Sequence, residues 1–102
     1  MYSEDFVARL IHLRMTKGVS ARDMSLSLGQ NSGYINNIEC GKALPSMSVF
    51  FCICDYFQIT PRDFFDLDNP CPKELNELTK DLKALKEDQL FAISTIIKDL
   101  RK

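Results

Sequence analysis

The stretch NSGYINNIECGK, residues 31 to 42, sets Ser32, Gly33, Asn36 and Asn37 on the side of a helical period that faces away from Ile35 and Ile38. An asparagine amide offers a donor and an acceptor side by side, which is the pair that the major-groove edge of adenine can meet, and small neighbours permit close approach. The chemistry open to these residues is recognition of a surface rather than the making of a bond. The competing reading of Asn36 and Asn37 is a solvated face on an ordinary surface helix, and composition alone favours it.

Bond-making chemistry finds little to work with elsewhere. The one histidine, His12, and the scattered carboxylates form no nucleophile, base or metal constellation, so no enzyme, catalytic residue or cofactor is expected. Cys40, Cys52, Cys54 and Cys71 follow no metal-knuckle spacing, which leaves no metal site and implies free thiols in a reducing compartment. Cys52 and Cys54, two apart on a helix, point in different directions and make a poor disulfide. Cys54 reads as core, and Cys40 as the better redox or alkylation reporter.

Presenting residues 31 to 42 requires helices around them, and the period of the apolar residues supplies these. Phe6, Val7, Leu10 and Leu13 recur helically over residues 3 to 17, with Glu4 and Asp5 at the end where a helix dipole favours acids; Gly18 stops the helix. Ser20 opens SARD, the arrangement of a capping box, ahead of Met24 and Leu28, and Gly29 ends that second helix. Asn31 is the expected cap of a third helix over residues 32 to 40, and Gly41 its left-handed terminator. Ser46 caps a fourth, carrying Phe50, Ile53, Cys54 and Phe57, and TPRD starts a short fifth that ends near Phe65. No segment alternates with a period of two, so the expected fold is all-α.

Two prolines and an Asn-Pro pair mark a linker over residues 67 to 72, dividing a first domain, 1 to 66, from a tail, 73 to 102. In the tail Leu75, Leu78, Leu82 and Leu85 form one stripe and Leu90, Ile93, Ile97 and Leu100 another. The gap of five between Leu85 and Leu90 breaks their phase, so two helices are expected, about 73 to 86 and 88 to 101. They either fold back as a hairpin or pair with a second copy. The expectation here is a homodimer that buries Leu82, Leu85, Ile93, Ile97 and Leu100. Aromatics at Phe50, Phe51, Tyr56, Phe57, Phe64 and Phe65 exceed what one small helical face needs, so some should meet the tail or a second subunit.

Length and charge set the remaining bounds. At 102 residues with 45% hydrophobic content, the chain suits one compact domain with a short appendage. The run Val49 to Cys54 is too short to span a bilayer and MYSEDF lacks the order of a signal peptide, so a soluble, cytoplasmic protein is expected. A formal net charge of −1 runs against the basic footprint of many nucleic-acid binders.

The combined spacing carries a resemblance. Leu13-Arg14, the segment Val19-Ser20 to Leu28-Gly29, Ile35, Ile38-Glu39, Gly41-Lys42, Leu44-Pro45-Ser46, Ile59-Thr60-Pro61 and Phe64-Phe65 resemble the lambda-repressor-like, or xenobiotic-response-element, helix-turn-helix family over residues from about Arg9 to Phe65. That resemblance implies a five-helix DNA-binding domain, followed here by a C-terminal helical hairpin, acting as a small regulator of transcription that binds double-stranded DNA. It implies that Ser32, Gly33, Asn36 and Asn37 read bases, that Arg22, Gln30, Asn31, Tyr34 and Lys42 meet the backbone, and that Arg14 pairs with Glu39 as a structural tie.

The chain departs from the family pattern where Ala21 stands in place of a common glutamine, where Ser25 replaces a usual alanine, and in a recognition helix without Lys or Arg. Few phosphate contacts mean weak binding per monomer and dependence on dimerisation. The alternative function, from another class, is a protein-interaction module that binds a regulator or a toxin on the same helical fold.

Overall fold

The computed structural model describes residues 2 to 102. They form seven α-helices and no strand: α1 (Tyr2–Lys17), α2 (Ala21–Ser27), α3 (Tyr34–Glu39), α4 (Met47–Phe57), α5 (Pro61–Phe64), α6 (Pro72–Lys83) and α7 (Glu87–Leu100). Their packing divides the chain into two units, residues 1 to 72 and 73 to 102. Among the described residues no helix is long and apolar enough to cross a membrane.

Hydroxyl caps start three helices of the first unit, α2, α4 and α5. Ser20 Oγ accepts from the Asp23 amide at 3.0 Å, Ser46 Oγ from Val49 at 3.2 Å and Thr60 Oγ1 from Asp63 at 3.1 Å; the Asp63 carboxylate returns to the Thr60 amide, closing a capping box. The ends are alike as well. Gly29 and Gly41 take φ near +75°, a region costly for other residues, so that the amides of Gln30 and Lys42 reach back to the carbonyls of Ser25 and Asn37. Gln58, at φ 58°, closes α4 the same way without being a glycine.

Phe6, Leu10, Leu13, Met24, Ile35, Ile38, Phe50, Ile53, Cys54, Phe57, Ile59 and Phe64 build the core, with α2 against α3, α1 against α3 and α4 against α5. At one end Phe6, Phe50 and Phe64 pack their rings with centroids 5.1 to 5.9 Å apart. Beside them Arg9 is 4% exposed, and its Nε and Nη2 donate to the carbonyls of Phe64 and Asp63 at 2.7 and 2.8 Å. These carbonyls lie at the end of a four-residue helix, where the Asp63 carbonyl also accepts from the Asp66 amide at 3.2 Å and the Phe64 carbonyl takes its donor from Arg9. Arg9 thus serves as its C-terminal cap and is withdrawn from the exposed charges.

Three boundaries differ from the sequence reading. Helix α3 starts at Tyr34, two residues later than expected, because Asn31 forms a turn instead of a cap: its Oδ1 accepts from the Gly33 amide and its carbonyl from Tyr34. Helix α6 starts at Pro72, one residue earlier than expected, after a segment in which the Asn69 amide donates to the Asp66 carbonyl, Asn69 Oδ1 accepts from the Cys71 amide, and His12 Nε2 lies 3.1 Å from the Pro70 carbonyl. In the tail the break falls at Ala84 to Lys86, where Gln89 Oε1 accepts from the Lys86 amide at 3.0 Å. That amide capture by a residue in the following turn is the local signal for the bend that the leucine spacing alone conveys only as a phase slip.

Candidate nucleic-acid interface

Helix α3 has an inner and an outer side. Ile35 and Ile38 are completely or almost completely buried against Leu10, Leu13 and Met24 in one core cluster. Asn36 and Asn37, on the same helix, are exposed, as are Ser32 and Asn31 in the turn before it. Gly33 and Gln30 are half-buried at that turn. The polar atoms of the outer side therefore face away from the packing that holds the helix in place.

Ser25 explains how so short a helix starts without a capping side chain of its own. The side chain is fully buried, its Oγ donates to the Ala21 carbonyl at 2.7 Å, and it accepts from the Ile35 amide at 2.9 Å. A hydroxyl from α2 thus satisfies a first-turn donor of α3 and locks the two helices together. Alanine at this position would allow the approach but could not make the bond.

The far end of α3 is held by charge. Arg14 Nε and Nη2 donate to Glu39 Oε2 and Oε1 at 2.7 and 2.9 Å, a bidentate pair, while Nη1 donates to the Val19 carbonyl at 2.9 Å. The hydrogen bond to Glu39 holds the Arg14 guanidinium above its ordinary pKa, against the opposing pull of burial. Glu39 spends both carboxylate oxygens on this pair, which ties α1 to the end of α3.

Gly33 sits at φ −97°, where any residue is accommodated, and an added Cβ would meet nothing nearer than Asn31 Oδ1 at 3.7 Å. The fold does not require glycine there. Tyr34 is half-buried against the core, and burial raises its phenol pKa. Its ring is thus partly committed to packing.

Of the basic residues in this unit, Arg22, Lys42 and Arg62 are exposed and make no ion pair among the described residues. Lys17 lies 4.9 Å from the centre of the Tyr56 ring, and Arg9 and Arg14 are engaged as described. Cys40 is exposed beside the site, its Sγ 3.8 Å from Asn36 Oδ1. Among the described residues no cluster of His, Cys, Asp or Glu could hold a metal ion.

The tail helices present their apolar residues differently. Leu82, Leu85 and Ile93 are half-buried, whereas Ile97 and Leu100 stay 45% and 79% exposed and α7 contains no fully buried residue. Sequence reasoning reached the outer face of α3 by spacing, and the pairing of Arg14 with Glu39 only as what the resemblance implies. It missed the role of Arg9, for which one arginine amid apolar neighbours at helical spacing was the available sign, and that of Ser25, signalled only by a hydroxyl where small size would have sufficed. No family model matches the chain, and no curated protein or solved structure matches it either.

Proposed function

We propose that the chain is a small regulator of transcription of the lambda-repressor-like, helix-turn-helix kind, reading double-stranded DNA by laying residues 32 to 40 in the major groove. In this reading residues 1 to 66 are a five-helix DNA-binding domain, residues 67 to 72 link it to the tail, and residues 73 to 102 form a helical hairpin that pairs with a second copy. The observation that carries it is the open face of Ser32, Asn36 and Asn37 on a helix whose inner residues are buried and whose two ends are tied down by Ser25 and by Arg14 with Glu39. Such a face is pre-organised, so binding would cost little ordering of the helix itself.

The roles follow from chemistry. Asn36 and Asn37 supply paired donors and acceptors for base edges, and Ser32 and Gly33 keep the approach close. Lys42 and Arg22, both unpaired, supply charge to phosphates, with Gln30, Asn31 and Tyr34 as neutral backbone contacts. Two cations beside the recognition helix are few. Affinity is recovered by joining two copies through Leu82, Leu85, Ile93, Ile97 and Leu100, so that two half-sites bind as one.

Selection of bound duplexes from a random pool tests this directly. A recovered site should have twofold symmetry, and its affinity should fall with salt through counterion release. Lys42→Ala and Arg22→Ala should each reduce that salt slope by about one, while Asn37→Ala should relax base preference and leave the slope nearly unchanged. Recovery of no preferred duplex would sink the proposal.

One observation favours a second reading. Helix α3 holds no Lys or Arg, which suits a protein surface better than a phosphate backbone. A module that binds a regulator or toxin through the same bundle would show no duplex preference and would co-purify with a defined protein.

A further inference from the structure

The polar atoms around the outer side of α3 are not equally free. Asn31 Oδ1 accepts from the Gly33 amide at 3.1 Å, both Glu39 carboxylate oxygens are spent on Arg14, and Asn36 Oδ1 lies 3.8 Å from the Cys40 thiol, within reach of a sulfur donor. The side-chain nitrogens of Asn31, Asn36 and Lys42 bond to nothing among the described residues, and neither half of the Asn37 amide does. Acceptors are thus committed within the chain while donors are left over.

Asn36 and Asn37 are both exposed on one helix, yet Cys40 separates them. It lies four positions beyond Asn36, where side chains of a helix meet, whereas the residue at that spacing from Asn37 is Gly41, which offers no side-chain donor. The turn that carries the thiol is closed: the Cys40 amide donates to the Asn36 carbonyl at 2.9 Å, and the Gly41 and Lys42 amides donate to Ile38 and Asn37 at 3.0 and 2.9 Å. A thiol is a weak donor and an amide oxygen a strong acceptor, so the Asn36 amide rests with its oxygen toward sulfur and its nitrogen outward.

We infer that Asn36 and Asn37 read different base edges, and that Cys40 is the positioning residue that makes them differ. Held by its oxygen, Asn36 presents donors, and the edge that takes donors at two adjacent atoms is that of guanine, through N7 and O6. Asn37, free at both ends, takes the donor-and-acceptor edge of adenine. The inference rests on the DNA reading and narrows it to sites with guanine facing Asn36 and adenine facing Asn37.

The test selects duplexes from a random pool with the full parent chain and with Asn36→Ala, Asn37→Ala, Asn36→Lys and Cys40→Ala. The base pair whose preference Asn36→Ala relaxes and Asn37→Ala does not is the one that Asn36 reads, and guanine should be recovered there; adenine should be recovered at the pair that Asn37→Ala relaxes. Asn36→Lys, which offers donors only, should keep the guanine. Cys40→Ala should lower the preference for guanine over adenine at the first pair about two- to fivefold. The second pair and the melting temperature should stay near those of the parent, because the thiol is exposed. In the chain free of DNA, the same substitution should move the Asn36 side-chain amide signals in a nitrogen-proton spectrum more than those of Asn37. Adenine at the Asn36 pair, no pair relaxed by Asn36→Ala, an unchanged preference in Cys40→Ala, or equal shifts at both asparagines would overturn the inference while the DNA reading stands. Recovery of no duplex by the parent would overturn that reading, and the inference with it.

Discussion

Residues 2 to 72 and residues 73 to 102 are both built from amphipathic helices, yet they spend their apolar residues in opposite ways. In the first unit five helices converge and twelve apolar side chains disappear from solvent; among the described residues no buried side-chain polar atom of the chain lacks a partner. In the second, two helices leave Leu75, Leu78, Leu90, Ile97 and Leu100 at least two-fifths exposed. A helical period determines that a face exists, while closing a core takes enough helices to cover it from several directions. The first unit closes a core, although Leu44, Met47 and Phe65 stay exposed on its surface. The second contains no fully buried residue in α7 and leaves much of its apolar stripe exposed.

The largest contrast should appear in core deletion. Ile53→Ala, at a completely buried position, should destabilise the first unit by about 2–5 kcal/mol, whereas Phe91→Ala, 75% exposed in the tail, should stay within about 0.5 kcal/mol in the absence of self-association. Denaturant unfolding measures both. A comparable loss at Phe91 would mean that the tail is buried in an assembly, and its dependence on protein concentration would show which.

A smaller effect is expected at Arg9. Arg9→Met keeps the apolar stem but strips the donors from the Phe64 and Asp63 carbonyls, and should cost about 1–3 kcal/mol. An equivalent charge removal in the tail, Lys98→Met, should cost nearly nothing, since Lys98 is exposed and makes no ion pair among the described residues. Equal effects would show that Arg9 acts by net charge instead of by capping.

The smallest effect concerns thiols. Burial, with a lesser push from Asp55, raises the Cys54 pKa from an ordinary 9.0 to about 11, while Cys40, Cys52 and Cys71 are exposed. At pH 8 an alkylating reagent should modify these three in the folded protein and reach Cys54 only after unfolding. Because the folded pKa is the higher one, the contribution of Cys54 to stability is complete below pH 9 and fades as pH rises toward 11. Unfolding midpoints across that window should fall for the parent more steeply than for Cys54→Ala.

Much of the helical plan could be read along the chain because its signals are local. Ser20, Ser46 and Thr60 cap where their spacing to the next helix says they should, and Gly29 and Gly41 end helices by a backbone preference that needs no neighbours. Asn31 misled, since an asparagine before a helix can serve equally as a cap or as the start of a turn, and the choice rests on where the next amides point. Ile35, Ile38, Asn36 and Asn37 revealed the two sides of α3 by period alone. Phe51 and Phe65 were surplus to a small core by count, and both are more than half exposed.

What residue order by itself determined is the set of helices, their capped starts and glycine ends, and which residues of each share a side, because these depend on torsions and spacing within a few positions. What only the tertiary structure decided is which polar groups are committed inward: Arg9 to the end of α5, 55 positions away, and Ser25 to the start of α3. Hydrogen bonds between distant segments are chosen by desolvation, since a buried carbonyl or amide must find a partner among whatever the packed chain brings near, and no periodicity records that choice.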